Sequence, residues 1–222
     1  MYTLLKPLSV RQELLKRGVT IFTPQDFQRI FHTTKSRTKY FLEKNSKDGL
    51  FLRLKKGLYT LQTDLPPEEE IANRLYRPSY ISFEYALEAY NILLEMAYSV
   101  TSATTKPTRT FQVGERTFSY FTIKKEAFTG YIPVKRDGRI VLIAEPEKAL
   151  VDYLYFVSLG KKPLNDRLNL ADVDERKIRH YASLYQRAGL DKLILALSTS
   201  TEPVLSEACS ELAEGSKGSG LH

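Results

Sequence analysis

The stretch TTKSRTKYFLEKNSKDGLFLRLKKGLYTL, residues 33–61, decides the predicted fold of the first part of the chain. Its first half predicts a helix from about Lys35 to Lys44, because Thr33 can act as the N-cap and the apolar residues recur at helical spacing. A polar stretch at 45–49 is predicted to end this helix. The second half predicts a hairpin, which consists of a strand at 50–54, a tight turn at Lys55-Lys56-Gly57 and a returning strand at 58–61.

Two further helices are predicted before this stretch. Ser9 and Gln12 have the spacing of a capping box, and Gly18 is a typical helix stop. Thr23 is predicted to cap the second helix, with Pro24 at its first position and an acid in its first turn. A helix, a helix–turn–helix and a hairpin occur in this order in winged helix–turn–helix domains. In that design the third helix enters the major groove of DNA, and we expect the hairpin to meet the phosphate backbone.

The charge of the chain is concentrated in this first part. The whole chain carries +7, but the residues through Leu61 contain 13 lysines and arginines against four acids. A basic module joined to a near-neutral remainder favours a polyanionic partner, here double-stranded DNA. The outward face of the third helix and the hairpin turn supply the predicted DNA-binding residues, which are Thr33, Lys35, Ser36, Arg37, Lys39, Tyr40, Lys55 and Lys56. The structural alternative is a three-helix domain with a solvated basic surface.

The predicted inward face of the third helix consists of Thr38, Phe41 and Leu42, and the predicted strand exposes and buries residues alternately through Leu50, Leu52 and Leu54.

Beyond the first part, residues 62–79 are predicted to form a linker with a short helix. Residues 80–199 predict an α+β domain with a largely antiparallel sheet, because short strands joined by turns are flanked by helices. Residues 200–222 lack apolar periodicity and predict a disordered tail.

Several classes of protein lack support in this sequence. No apolar run is long enough for a membrane span, and the single cysteine, Cys209, cannot form an internal disulfide. Neither a nucleotide-binding loop nor a metal-binding His or Cys motif is present, so we expect a protein that uses no cofactor or metal and is not an enzyme. The N-terminus does not show the pattern of a secretory signal, and we expect a cytoplasmic protein. One enzymatic alternative is a metal-dependent nuclease built from Glu84, Glu88, Glu145, Glu147 and Asp152.

Four blocks of sequence carry a resemblance to a known family. YISFEYAL at residues 80–87, SVTSATTKPTR at 99–109, AEPEKALVDYLY at 144–155 and KKGLY at 55–59 occur in the order of the corresponding blocks of AbiEi-type antitoxins. The chain resembles these abortive-infection, type IV toxin–antitoxin regulators over roughly residues 10–195. The resemblance implies a winged-helix domain that binds the promoter of its own operon and a C-terminal domain that provides antitoxicity. The toxin that such proteins counteract is nucleotidyltransferase-like, and the resemblance implies no stable complex with it.

Three cations of the second part are candidates for antitoxicity. Lys106 lies in a predicted turn, and Arg109 begins the strand that follows; at such positions a cation contributes little to packing. Lys148 lies in the third of the family-like blocks. Alternatively, Lys148 forms an i,i+4 ion pair with Asp152 and Lys106 is simply solvated.

A third hypothesis for the whole chain is a stand-alone regulator whose C-terminal domain senses a ligand or a partner.

Overall fold

The computed structural model describes residues 5–165 and 167–199, so the predicted tail with Cys209 lies outside the described residues. The N-terminal segment, residues 5–61, contains three helices and a small antiparallel sheet with the strand order β1-β3-β2. Its elements are α1 (Pro7–Lys16), β1 (Ile21–Phe22), α2 (Pro24–Phe31), α3 (Lys35–Lys47), β2 (Phe51–Lys55) and β3 (Leu58–Leu61). The predicted order of helices and hairpin is therefore present, and β1 adds a strand that the sequence did not indicate.

The helix starts agree with the prediction only in part. Thr23 caps α2 in a reciprocal capping box, in which its hydroxyl accepts from the Asp26 N–H and its own N–H donates to the Asp26 carboxylate. The prediction of a capping box at Ser9 is wrong, because α1 already begins at Pro7. The N-cap of α3 is Thr34 rather than Thr33, since the Thr34 hydroxyl accepts from the Arg37 N–H at 3.4 Å.

The predicted end of α3 and the predicted alternation of β2 are also corrected. Asn45 is buried and donates its side-chain amide to the Phe41 carbonyl at 2.8 Å, so it continues the helix instead of stopping it. In β2 the buried residues are Phe51 and Leu54, because the register with β3 shifts between Arg53 and Lys55. A strand with such an irregularity cannot keep a strict two-residue alternation.

An aromatic core holds α3 in place. The rings of Phe22, Phe27, Phe41 and Phe51 lie with centroids 5.5–6.4 Å apart in the tilted and edge-on geometries that aromatic pairs prefer. Thr38 and Leu42 of α3 are buried as predicted, and Phe41 is half-buried against this cluster. The opposite face of α3 is therefore directed to solvent.

The rest of the described chain forms a six-stranded sheet with helices on both faces. The strand order is β6-β7-β5-β4-β9-β8, with parallel pairing between β5 and β7 and between β4 and β9 and antiparallel pairing elsewhere. The elements are α4 (Glu68–Leu75), β4 (Ser79–Ile81), α5 (Phe83–Ala89), β5 (Ser99–Thr104), β6 (Arg109–Val113), β7 (Arg116–Thr122), β8 (Tyr131–Arg136), β9 (Arg139–Ala144), α6 (Pro146–Ser158), α7 (Glu175–Ser183) and α8 (Ala188–Thr199). The prediction of a mixed α+β chain with mostly antiparallel strand pairing is confirmed.

Two tyrosines show which helix covers which face. Tyr120 of β7 donates its hydroxyl to the Ala72 carbonyl of α4 at 2.6 Å, whereas Tyr80 of β4 donates to Asp152 of α6 at 2.9 Å. In the strand register Tyr120 aligns with Ser102, and Ser102 aligns with Ile81, the neighbour of Tyr80. Because successive side chains of a strand alternate between faces, α4 and α6 cover opposite faces of the sheet.

Lys148 and Asp152 form a fully buried ion pair inside α6, with both side chains 0% exposed. The Asp152 carboxylate also accepts from the hydroxyls of Tyr80, Ser82 at 2.7 Å and Tyr185 at 2.5 Å. Burial lowers the pKa of Lys148, while the charge and hydrogen bond of Asp152 oppose that shift. We call these five residues the Asp152 network.

The two edges of the large sheet differ in their surroundings. At one edge, β6 lies against β2 of the N-terminal segment. At the other edge, β8 carries Pro133, Lys135 and Arg136, all exposed. None of the helices in the described part of the chain combines the length and the apolar character that crossing a membrane requires.

The Asp152 network predicts an unequal response to mutation. We expect Asp152→Ala to lower the free energy of unfolding by about 3–5 kcal/mol, because it leaves a buried ammonium with only the Tyr185 hydroxyl nearby. Lys148→Met should be less damaging, since Asp152 keeps three hydroxyl donors. Urea unfolding measures both, with the exposed Asp172→Ala as the control. Equal losses for the two buried variants would contradict this assignment.

Candidate nucleic-acid interface

The solvent-facing side of α3 carries most of the predicted DNA-binding residues. Lys35, Ser36, Arg37 and Lys39 are exposed, and Tyr40 is 69% exposed, although it is a large aromatic side chain. The aromatic core fixes this orientation, because it holds Thr38 and Leu42 on the opposite side. Thr33 lies just before the helix, is half-buried and does not cap it. The structure thus brings five of the predicted residues together on one exposed helix face.

Several cations near this face have no acidic partner. Lys39 faces Glu43 at 4.0 Å, a helical i,i+4 pair of about 0.3–0.5 kcal/mol. Within the described residues, no acid lies at ion-pair distance from the exposed cations Lys35, Lys44, Lys47, Arg53 and Lys56. Unneutralised charge of one sign raises the local positive potential and attracts polyanions. Lys44, Lys47 and Arg53 were not predicted individually, although the net charge of this part of the chain includes them.

The two lysines of the hairpin turn have different environments. Lys56 is exposed at the turn, as predicted. Lys55 is half-buried, and its Nζ donates to the Leu75 carbonyl at the end of α4 at 2.5 Å. Burial lowers the pKa of Lys55, and the charges of Lys106 and Arg109 lower it further. The predicted role of Lys55 at a free hairpin tip is therefore corrected, because this lysine holds the hairpin against α4.

Further contacts attach the N-terminal segment to the rest of the chain. Arg11 forms an ion pair with Asp64 at 2.9 Å, and Arg139 of β9 donates to the Gly18 carbonyl at 2.9 Å. Arg74 of α4 donates to the Ile21 carbonyl at 3.3 Å. Ile21, Leu54 and Leu58 of the small sheet also join the same apolar cluster as Ile71 and Leu75 of α4. These contacts set the orientation of α3 relative to the large sheet.

Two of the three antitoxicity candidates lie on the surface. Lys106 is exposed, with its Nζ 5.5 Å from the centroid of the Tyr76 ring, and Arg109 is exposed, with its guanidinium 5.3 Å from the Phe111 ring. Both lie close enough to Lys55 to affect its pKa. They therefore extend the positive surface of the N-terminal segment onto the edge of the large sheet.

Lys148, the third candidate, is not a surface residue. Its side chain is completely buried, pairs with Asp152 and lies 4.9 Å from the centroid of the Tyr185 ring. The alternative of an i,i+4 pair with Asp152 is confirmed. This burial excludes a contact between Lys148 and a partner molecule. The sequence could not indicate the burial, because the hydroxyls around the ion pair come from distant parts of the chain.

The acids of the nuclease alternative do not form one site. Glu84 pairs with Lys162, Glu88 accepts the Ala97 N–H at 2.7 Å, and Asp152 belongs to the buried network. Glu145 and Glu147 both face Lys177, at 3.4 and 3.7 Å. Among the residues that the structure describes, no cluster of three or more acids, histidines or cysteines could hold a metal ion.

The two neighbouring lysines of the hairpin give a matched prediction. Lys55→Ala should lower the free energy of unfolding by about 1.5–3 kcal/mol, because it removes a charged hydrogen bond to the carbonyl of Leu75, a buried residue. Lys56→Ala should change stability by less than about 0.5 kcal/mol, since its side chain is exposed. Urea unfolding of the two variants measures both effects. An unchanged Lys55→Ala protein would mean that the contact with Leu75 does not hold the hairpin.

The chain matches no known family model, and no curated protein matches it either.

Proposed function

We propose that this protein is a DNA-binding regulator whose N-terminal segment acts as a winged helix–turn–helix and represses its own operon. The observation that carries this proposal is the exposed face of α3, which consists of polar and cationic side chains. The opposite face of the helix packs against the buried aromatic core. Regulators of this kind insert such a helix into the major groove. The partner is double-stranded DNA.

The dimensions and chemistry of α3 fit this role. Its 13 residues span about 20 Å, enough to lie along the major groove. Ser36, Lys39 and Tyr40 are the side chains best placed to reach base edges, since they share the exposed face. Lys35, Lys44 and Lys47 on the same helix, and Lys56 on the hairpin, offer charges to phosphates on either side of the groove.

We further propose that the protein is the antitoxin of an AbiEi-type system and counteracts a nucleotidyltransferase-like toxin encoded beside it. The support is the resemblance of the four sequence blocks. Tyr80, Ser82, Lys148 and Asp152, which belong to two of those blocks, meet in the Asp152 network. Residues of a buried network stabilise the fold, so the resemblance of these two blocks supports a similar fold. Antitoxicity must then depend on exposed residues, of which Lys106 and Arg109 are the candidates.

The DNA-binding proposal predicts a difference between two groups of variants. Ser36→Ala, Lys39→Ala or Tyr40→Ala should reduce the preference for the operon's own promoter by about 1–3 kcal/mol where a base contact is lost. Lys56→Ala should weaken binding to promoter and random DNA equally and reduce the log–log salt slope, expected near −4 to −5 for about 4–6 phosphate contacts, by about 1. Fluorescence anisotropy over a salt series measures both.

Arg176→Ala, which removes an exposed cation from α7, is the control for net charge. An equal loss on promoter and random DNA for the three α3 variants would show that another element reads the sequence. Binding that none of the variants alters would contradict the proposal.

The antitoxin proposal predicts that Lys106→Ala with Arg109→Ala reduces rescue of growth when the protein is co-expressed with the adjacent toxin gene. Both side chains are exposed, so about 0.5 kcal/mol or less of stability should be lost. The charge-matched control is Lys125→Ala with Arg176→Ala, which changes two other exposed cations. Full rescue by the first double variant would place antitoxicity elsewhere, and failure of the wild type to rescue would reject the antitoxin function.

A further inference from the structure

A cleft lies beside the point where β4 and β9 separate. These two strands are paired only between Ile81 and Ile143. The Asn73 side chain of α4 also reaches β9, where it donates to the Leu142 carbonyl at 3.2 Å and accepts from the Leu142 N–H at 2.6 Å. The adjoining cleft has a volume of about 670 Å³, within the range of small-molecule sites.

Two arginines on one wall of this cleft have no acidic partner. Arg74 donates to the Ile21 carbonyl, and Arg77 donates its Nε to the Asn73 carbonyl at 3.2 Å. Neither guanidinium has a carboxylate within ion-pair distance among the described residues. Burial lowers the pKa of Arg77, and the charge of Arg74 lowers it further. Two neighbouring cations without a counter-charge are the arrangement that an oxyanion stabilises.

Two buried oxygens of the same cleft have no hydrogen-bond partner. They are the hydroxyl of Ser79, a residue that is 5% exposed, and Oε2 of Glu70, whose other oxygen accepts from Thr20 at 2.7 Å. The Glu70 carboxylate approaches Arg139 at 3.9 Å and is not within ion-pair distance of Arg74 or Arg77. Arg139 already lies near Glu70 Oε2, so the Ser79 hydroxyl is the buried polar group of this cleft that most needs a partner, and a ligand with a hydroxyl or amino group could supply one.

The remaining wall is apolar and aromatic. The Tyr131 ring stacks on Tyr80 with centroids 4.7 Å apart and lies beside Phe128. Ile140 is 74% exposed although it is a large apolar residue, and it lines the cleft. An apolar surface next to paired arginines suits a molecule with a flat ring at one end and an anionic group at the other.

We propose that this cleft binds a small phosphate ester with a planar ring, of the size and chemistry of a nucleoside monophosphate. Arg74 and Arg77 hold the phosphate, and the aromatic and apolar wall contacts the ring. Ser79 bonds to a hydroxyl or amino group between them. This site is separate from the α3 face, and it gives the C-terminal part of the chain a ligand-sensing capacity that DNA binding does not require.

Isothermal titration calorimetry of the full chain with AMP, GMP, CMP and UMP tests this site, with inorganic phosphate and the four nucleosides as separate arms. At least one nucleotide should bind about tenfold more tightly than phosphate or its own nucleoside, because both ends of the molecule contribute. Arg77→Ala should weaken that binding about tenfold or more, and Arg77→Lys should restore part of it.

Ile140→Asp is a second variant that leaves the fold intact, since Ile140 is exposed. It replaces part of the apolar wall that contacts the ring with a carboxylate that loses water when the ring binds, and it should also weaken binding about tenfold. Arg176→Ala is the matched control and should bind as the wild type does. The proposal is overturned if no nucleotide binds below about 10 mM, if phosphate alone binds as tightly as the nucleotides, or if both cleft variants keep wild-type affinity. None of these outcomes depends on DNA binding.

Discussion

The large sheet and its helices depend on one buried carboxylate. Asp152 takes a negative charge into the core, where an unpaired charge would be strongly unfavourable. It is tolerated because a lysine and three hydroxyls share its two oxygens. These partners come from β4, from the start of α5, from α6 itself and from the segment after α7. The network therefore fixes a central strand and three helical regions with respect to one another, and burial raises the pKa of Tyr80 and Tyr185 so that both remain hydrogen-bond donors.

This constraint separates residues that maintain the fold from residues available for function. Lys148 has a sequence context that fits either role, and its complete burial assigns it to the fold. The exposed cations have no comparable task in packing. They form a surface that runs from α3 to the hairpin and on to Lys106 and Arg109, and Lys55 lies at the junction of the two halves. The position of this junction explains why burial and the like charges of Lys106 and Arg109 both lower the pKa of Lys55.

The sequence was most informative where local chemistry decides the structure. The helix cap at Thr23 and the inward face of α3 could be predicted because each depends on residues close in the chain. The N-cap of α3 is Thr34, one position after the predicted Thr33, because helical periodicity does not locate the start of a helix to a single residue. The irregularity in β2 and the parallel pairing of β5 with β7 arise from contacts between distant segments. The cleft beside Asn73 was not predicted for the same reason.

The edges of the large sheet have a consequence for self-association. An exposed edge strand offers unpaired N–H and C=O groups to any second strand. The hairpin strand β2 contacts β6, whereas β8 presents a proline, which lacks an N–H, together with the positive charges of Lys135 and Arg136. Both features disfavour the joining of two copies into a continuous intermolecular sheet. If two copies occupy the half-sites of a palindromic operator, they must meet through helical or loop surfaces, or communicate only through the bending of the DNA between them.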